Sequence, residues 1–249
     1  MKKSKVPVFI PIILAGINAA ASAWYLSTVE AEIIPTHYDL YMNPDQYGSK
    51  WTLMFFSGMI LLLSVFFIVY RATIGKRANN TKNIRYENPF FLIITLVFCG
   101  INWFLMLTST GAIAPDRSWL PALTIVLGLL MLLYGNISGK IKQNFNFGIK
   151  FKSTLRNRTV WKKAHRLSGV LCCIGGVIMI ICGIIGFFAS GLQLPLFAGS
   201  LILTLLAGLA IPTIYAAKLY KELGDDGSYE ELFAKADSDT QQAEEQEEN

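Results

Sequence analysis

An all-α, polytopic integral membrane fold of six transmembrane helices, with N- and C-termini cytoplasmic, is predicted by three observations. Apolar residues make up 53% of the chain and charged residues 16%, far from the balance of a water-soluble domain. The charges are segregated, and the apolar runs between them suit a crossing of roughly 30 Å of hydrocarbon, which takes about 20 helical residues. Lys and Arg resist translocation, and in the six-helix plan 20 of the 22 cations fall on one side.

The runs are Val6–Leu26, Trp51–Tyr70, Pro89–Leu107, Trp119–Gly135, Leu167–Ser190 and Pro195–Ala217, and none holds Asp, Glu, Lys, Arg or His. In lipid, backbone polar groups must be bonded within a helix or a closed barrel, and these runs lack the period-two alternation of barrel strands. Lys2, Lys3 and Lys5, then Arg71, Lys76, Arg77, Lys82 and Arg85, then nine cations within 137–166, then Lys218, Lys221 and Lys235 mark the inside, leaving Lys50 and Arg117 outside. The stretch "AASAW" ending at Trp24 resembles a signal-peptide cleavage site. Its apolar run exceeds the about 7–15 residues of such signals, so an uncleaved anchor is expected. The expected organisation is 1–72, a two-helix membrane unit with an outer loop; 73–118, a basic inner loop and the third helix; 119–219, helices four to six with the basic inner loop 137–166; and 220–249, an acidic, disordered, solvated tail.

Within the runs the side chains read as packing. Cys99, Cys172, Cys173 and Cys182 all lie inside predicted spans, with no C-x-x-C pair among them. Gly169, Gly176, Gly183 and Ser190 recur every seven residues and line one face with small groups. Asn18 and Asn102 each need a hydrogen-bond partner from another helix, and Pro212 frees a carbonyl and can kink the sixth span. Coupled transporters keep ionisable groups in the bilayer, and their absence from these runs disfavours a pump. His37 and His165 fall on opposite faces, and G-x-S-x-G, H-E-x-x-H and phosphate-loop motifs are missing. The expectation is a protein that is not an enzyme, with no catalytic residues, no cofactor and no metal site. His37 with Glu30, Glu32, Asp39 and Asp45 could hold a divalent cation, but an ordinary acidic outer loop has the same composition.

Two loops carry recognisable patterns. In "GNISGKIKQNFNFGIKFKSTLRNRTVWKKAHRLSG", Gly135, Asn136, Asn144, Gly148, Ile149, Thr154, Leu155, Trp161, His165, Arg166 and Gly169 match the signature of the SdpI-like family, membrane immunity proteins named after a sporulation-delaying toxin. The segment resembles that family with departures: Lys150 stands where Arg is usual, Phe151, Lys152 and Ser153 where Thr-Pro-Trp is, and Ala164 where Thr is. Lysine lacks the planar two-point contact of a guanidinium. In "IPTHYDLYMNPDQYGSK", Pro35, His37, Tyr38, Pro44, Asp45, Gly48, Ser49 and Lys50 fit the small membrane domain of unknown function that often precedes the SdpI-like region, with Met42 where its Gly is expected. The resemblance implies a bacterial plasma-membrane protein that protects its cell from a secreted toxin peptide or relays the peptide's presence to a cytosolic partner. The competing class is a transporter or exporter of a peptide or apolar small molecule.

The candidate functional residues are therefore His37, Asp45 and Lys50 in the outer loop, and Asn136, Asn144, Gly148, Thr154, Trp161, His165 and Arg166 in the inner one. Asp45 and Lys50 are expected to pair across the Gly48-Ser49 turn, and the outer loop, at net −3, would attract a cationic peptide. Phe145, Phe147, Phe151 and Trp161 interleave with cations, a pattern that suits an interfacial segment against anionic lipid better than direct nucleic-acid binding. His165, at the polar start of the fifth span, is expected to be neutral and hydrogen-bonded.

Overall fold

The structure, a computed structural model, describes residues 7–39, 42–77, 83–145 and 147–234. Lys2, Lys3, Lys5, Lys82 and residues 235–249 lie outside them. Six helices are long and apolar enough to cross a membrane, so the chain is a multi-pass helical membrane protein. It divides into two compact units, 1–72 with 85–117 and 73–84 with 118–249.

In the first unit, α1 (Ile10–Thr28) is followed by the antiparallel pair β1 (Ile33–Tyr38) and β2 (Pro44–Ser49), a 3-10 turn (Lys50–Leu53), α2 (Met54–Arg77) and α3 (Ile84–Ser109). The outer loop is thus a hairpin and not irregular chain. Its register pairs Ile33 with Ser49, Ile34 with Gly48 and Pro35 with Tyr47, then slips twice before Tyr38 meets Pro44. The two amides noted in the sequence find each other. Asn102 Nδ2 donates to Asn18 Oδ1 at 3.5 Å and Ser22 Oγ at 3.1 Å, while Ser57 Oγ lies 3.0 Å from Asn102 Oδ1 and 3.1 Å from Ser22 Oγ. All four residues are buried, so polar groups that lipid cannot satisfy tie α1, α2 and α3 together. At the other end of α2 and α3, Arg71 and Glu87 form a buried ion pair at 3.0 Å. The sequence reading counted Arg71 only among the cations that mark the inside; removal of either partner would strand the other's charge.

The second unit contains α4 (Trp119–Ser138), the short α5 (Lys152–Leu155), α6 (Arg158–Phe188), α7 (Gln193–Leu205), a π-helical turn (Leu206–Ala210) and α8 (Ile211–Leu223). A Cβ on Gly169 would lie 2.7 Å from the Gly135 carbonyl oxygen, one on Gly176 2.6 Å from that of Gly128, and one on Gly183 2.7 Å from that of Pro121. The seven-residue glycine period of α6 therefore runs against an equal period on α4, and the two backbones meet directly along antiparallel helices. The π turn has a local cause as well. Pro212 has no N–H to offer the Gly208 carbonyl four residues back, and Ser168 Oγ of α6 donates to that oxygen at 2.6 Å instead.

α6 begins at Arg158, earlier than the Leu167 expected, because Asn157 caps it: its Oδ1 accepts the N–H of Thr159 at 2.9 Å and of Val160 at 3.0 Å. At 31 residues the helix is about 46 Å long, well beyond the hydrocarbon thickness. Its first turns bury Val160, Trp161, Ala164 and His165 and expose Lys162, Lys163 and Arg166.

The expectation of a wholly solvated tail does not hold for residues 220–234. After α8 the chain turns and forms a last helical segment over 228–234. Arg156 pairs with Asp225 at 3.1 Å, Arg158 pairs with Glu231, and the Arg158 N–H donates to Asp226 Oδ2 at 2.9 Å. Phe145 packs edge-on against Tyr229 and Phe233, and Leu232 is buried. Few apolar residues suffice here because three of them share one aromatic contact beside charge pairs.

Candidate functional site

The inner loop is a folded knot built around His165. Its Nε2 accepts the Ile149 N–H at 2.9 Å, which leaves the proton on Nδ1, and Nδ1 donates to the Trp161 carbonyl at 2.9 Å. The ring is fully buried and stacks on the Trp161 indole, with centroids 4.1 Å apart. His165 is neutral and hydrogen-bonded, as expected, but for another reason. It sits two turns inside α6, so the helix dipole is not the cause; burial of the ring disfavours its charged form, and a backbone donor from the loop occupies Nε2.

Gly148 explains why the loop can reach the ring. Its φ is +118°, and a side chain there would begin where His165 Nε2 lies. Only glycine satisfies both demands. On either side, two buried polar side chains replace backbone partners. Asn144 Nδ2 donates to the carbonyls of Lys142 (2.6 Å) and Phe147 (3.0 Å), and its Oδ1 accepts the Phe147 N–H at 2.7 Å. Thr154 Oγ1 accepts the Phe151 N–H at 3.0 Å and donates to the Ile149 carbonyl at 2.8 Å. Trp161 Nε1 closes the far side on the Ile141 carbonyl at 2.9 Å. Trp161 is therefore an internal strut and not an interfacial aromatic. Of the four aromatics expected at the interface, Phe151 remains exposed, while Phe145 meets the tail and Phe147 packs on Tyr134.

Asn144, Gly148, Thr154, Trp161 and His165 thus come together in the interior. Asn136 and Arg166 do not join them: both are exposed and line, with Lys140, a groove along α4 and α6. Both imidazole nitrogens of His165 are occupied, so it can exchange no proton with a ligand while the knot is closed. The arrangement suits presentation of a surface and not acid–base chemistry.

Sequence reasoning missed three residues that hold the knot. Asn83 grips the Lys142 backbone, donating to its carbonyl at 3.0 Å and accepting its N–H at 3.1 Å. Gln143 Nε2 reaches the carbonyls of Thr154 and Leu155 and the hydroxyl of Ser228. Asn157, besides capping α6, donates to the Gly224 carbonyl at 2.9 Å. Of these, Asn157 before Arg-Thr was visible as a helix start signal; the contacts of the other two join residues 11 to 85 positions apart and leave no local trace.

In the outer hairpin the charge pairing differs from expectation. His37 Nδ1 donates to Asp45 Oδ1 at 2.6 Å, and both side chains are about half exposed. Lys50 does not reach Asp45. Its side chain is 6% exposed, and Nζ donates to Glu32 Oε1 at 3.0 Å and to the Val29 carbonyl at 2.6 Å. Lys50 thus pins the end of β2 to the chain leaving α1, because its stem can be buried once the ammonium is satisfied. Met42 holds a φ of +67°, which accounts for the Gly that the resembling domain has there. Among the described residues no three His, Cys, Asp or Glu side chains gather closely enough to hold a metal ion.

Residues 140–216 match the model of the SdpI/YfhL protein family, the stretch that holds the knot, α6 and most of the last span. No curated protein and no solved structure matches the chain.

Proposed function

We propose, taking as premise that residues 140–216 are an SdpI/YfhL-family region, that this protein is a non-enzymatic immunity or receptor protein of a bacterial cell membrane. It protects its cell from a secreted antimicrobial peptide and passes the peptide's presence to a cytosolic regulator. The observation that carries the reading is the inner knot: five of the seven candidate residues of the inner loop form its interior, and the two that remain outside it, Asn136 and Arg166, line an open groove. A motif spent on shaping a surface fits a docking protein better than a catalyst. In the first unit, the His37–Asp45 pair sits half exposed on a hairpin with an acidic excess, which favours a cationic peptide.

The test is a deletion of the gene in its own host, followed by challenge with the parent strain's spent medium. Killing of the deletion strain, reversed by the intact gene, supports immunity; equal survival of both strains overturns it. The transporter reading has the Arg71–Glu87 pair in its favour, since buried ionisable groups near a bilayer often serve transport. It predicts that Glu87→Gln blocks efflux of the peptide while the protein still accumulates.

A further inference from the structure

We propose that the second unit holds a binding site for the phosphate of an anionic phospholipid headgroup, and that the C-terminal acids compete with the lipid for one of its cations. A cavity of about 490 Å³ is lined by Lys140, Lys142, Arg158 and Lys162 together with Asn83 and Trp161, and none of its lining residues is acidic. That volume lies within the range of small-ligand sites, roughly 300–1,000 Å³.

The neutral donors of the wall are already bonded elsewhere, and Gln143, whose Nε2 is held by Thr154, Leu155 and Ser228, keeps only an unpartnered buried Oε1, an acceptor. Asn83 has both amide ends on the Lys142 backbone, and Trp161 Nε1 is on Ile141. The donors left for an anion are thus cationic: Lys140 Nζ reaches Asn136 Oδ1, and among the described residues neither Lys142 nor Lys162 has a carboxylate partner. Lysine ammoniums are compact point charges with rotatable donors, suited to a phosphate whose orientation is set by something else. A lipid anchored by its tails supplies that orientation.

Depth along the helices selects the source of the phosphate. Lys140 comes two residues after α4 ends at Ser138. Lys162 precedes Leu167, where the apolar run of α6 begins, by five residues, or about 7.5 Å of helix rise. The headgroup layer is about 5–8 Å thick on each side, so Lys140 and Lys162 stand at the level of the headgroups, and Lys142 lines the same cavity. Arg158, four residues further out, lies about 13 Å from the apolar boundary. There it pairs with Glu231 and gives its N–H to Asp226. The acidic tail thus covers the outer edge of the cavity and takes up the cation that a headgroup would reach last.

Native mass spectrometry of the full-length protein in neutral detergent, titrated with phosphatidylglycerol or phosphatidylcholine, tests the assignment. Phosphatidylglycerol should bind about tenfold more tightly or better, as expected when several cations act at the surface. Lys142→Gln with Lys162→Gln should remove the preference, the Lys142→Arg, Lys162→Arg pair should keep it, and Lys218→Gln with Lys221→Gln, equal in charge but outside the cavity, should leave it intact. Glu231→Gln should raise phosphatidylglycerol affinity severalfold. Equal binding of the two lipids, or equal loss in both glutamine pairs, overturns the site. Glycerol 3-phosphate in solution binding as tightly as the lipid would transfer the site to a soluble phosphate ester and overturn the lipid assignment. An unchanged affinity in Glu231→Gln overturns the competition.

Discussion

Gly148 and His165 show how a single atom position can organise a loop. The glycine carries a left-handed backbone and leaves room for an imidazole nitrogen, so a methyl group there is strained twice. Gly148→Ala should destabilise the protein by about 3 kcal/mol and lower its accumulation in the membrane, read by unfolding in mixed detergent; retention of parental stability would mean that the knot does not depend on this approach. Met42 is the opposite case, a side chain where glycine would fit. Met42→Gly should raise stability by about 1 kcal/mol, measured the same way, with no change at His37 or Asp45. Asn144, Thr154 and Trp161 act likewise through backbone partners, which explains why residue types so different in chemistry stand in one motif: each satisfies a carbonyl or N–H that the loop leaves behind.

Helices α4 and α6 meet through backbone, and that contact is set by absent side chains. Lipid offers no hydrophobic drive for helices to associate, so close approach of small residues supplies it. Gly176→Ala places a methyl 2.6 Å from the Gly128 carbonyl oxygen, and neither helix can yield without losing its neighbours. It should cost about 2 kcal/mol. Gly199→Ala, on α7 with nothing within 4 Å of the added carbon, should instead be neutral or stabilise by up to about 1 kcal/mol. Equal outcomes for the two would show that packing, and not propensity, had been misjudged. The last span illustrates the complementary device: a proline opens the helix at Gly208, and a serine on the neighbouring helix closes the hydrogen bond.

At the scale of the molecule, charge sets both orientation and closure of the tail. The distribution of 20 cations against two predicts both termini inside. Reporter fusions after Asn43 and Gly191 should read external and fusions after positions 79, 146 and 249 internal; an internal signal at Asn43 refutes the arrangement. The tail's docking has its own pH signature. Burial pushes the Asp226 carboxyl up, but hydrogen bonds from Ser228 and the Arg158 N–H, with the Arg158 charge, outweigh it and hold its pKa below the ordinary 3.8. A depressed folded pKa means that the contribution is fully present above 3.8 and is lost as pH falls through the folded value. Protease cleavage within 224–234 should therefore stay slow at neutral pH and accelerate only in acid below that value. Asp226→Asn should cleave faster already at neutral pH.

Much of this was legible in one dimension. Span positions follow from hydropathy, a sum over neighbours in sequence, and the α6 glycine face follows from a period of seven that needs no knowledge of its partner. The family motif, too, was readable residue by residue. What stayed hidden were choices made through space. Asp45 takes His37 and leaves Lys50 to Glu32, because a hairpin, and not a simple turn, brings the first pair side by side. Trp161 turns inward because α6 starts three residues before it. The first turns of the tail fold back because Arg156 and Arg158 stand where Asp225 and Glu231 can reach them. In each case composition permits several partners of nearly equal energy, and the distances set by the assembled backbone select one.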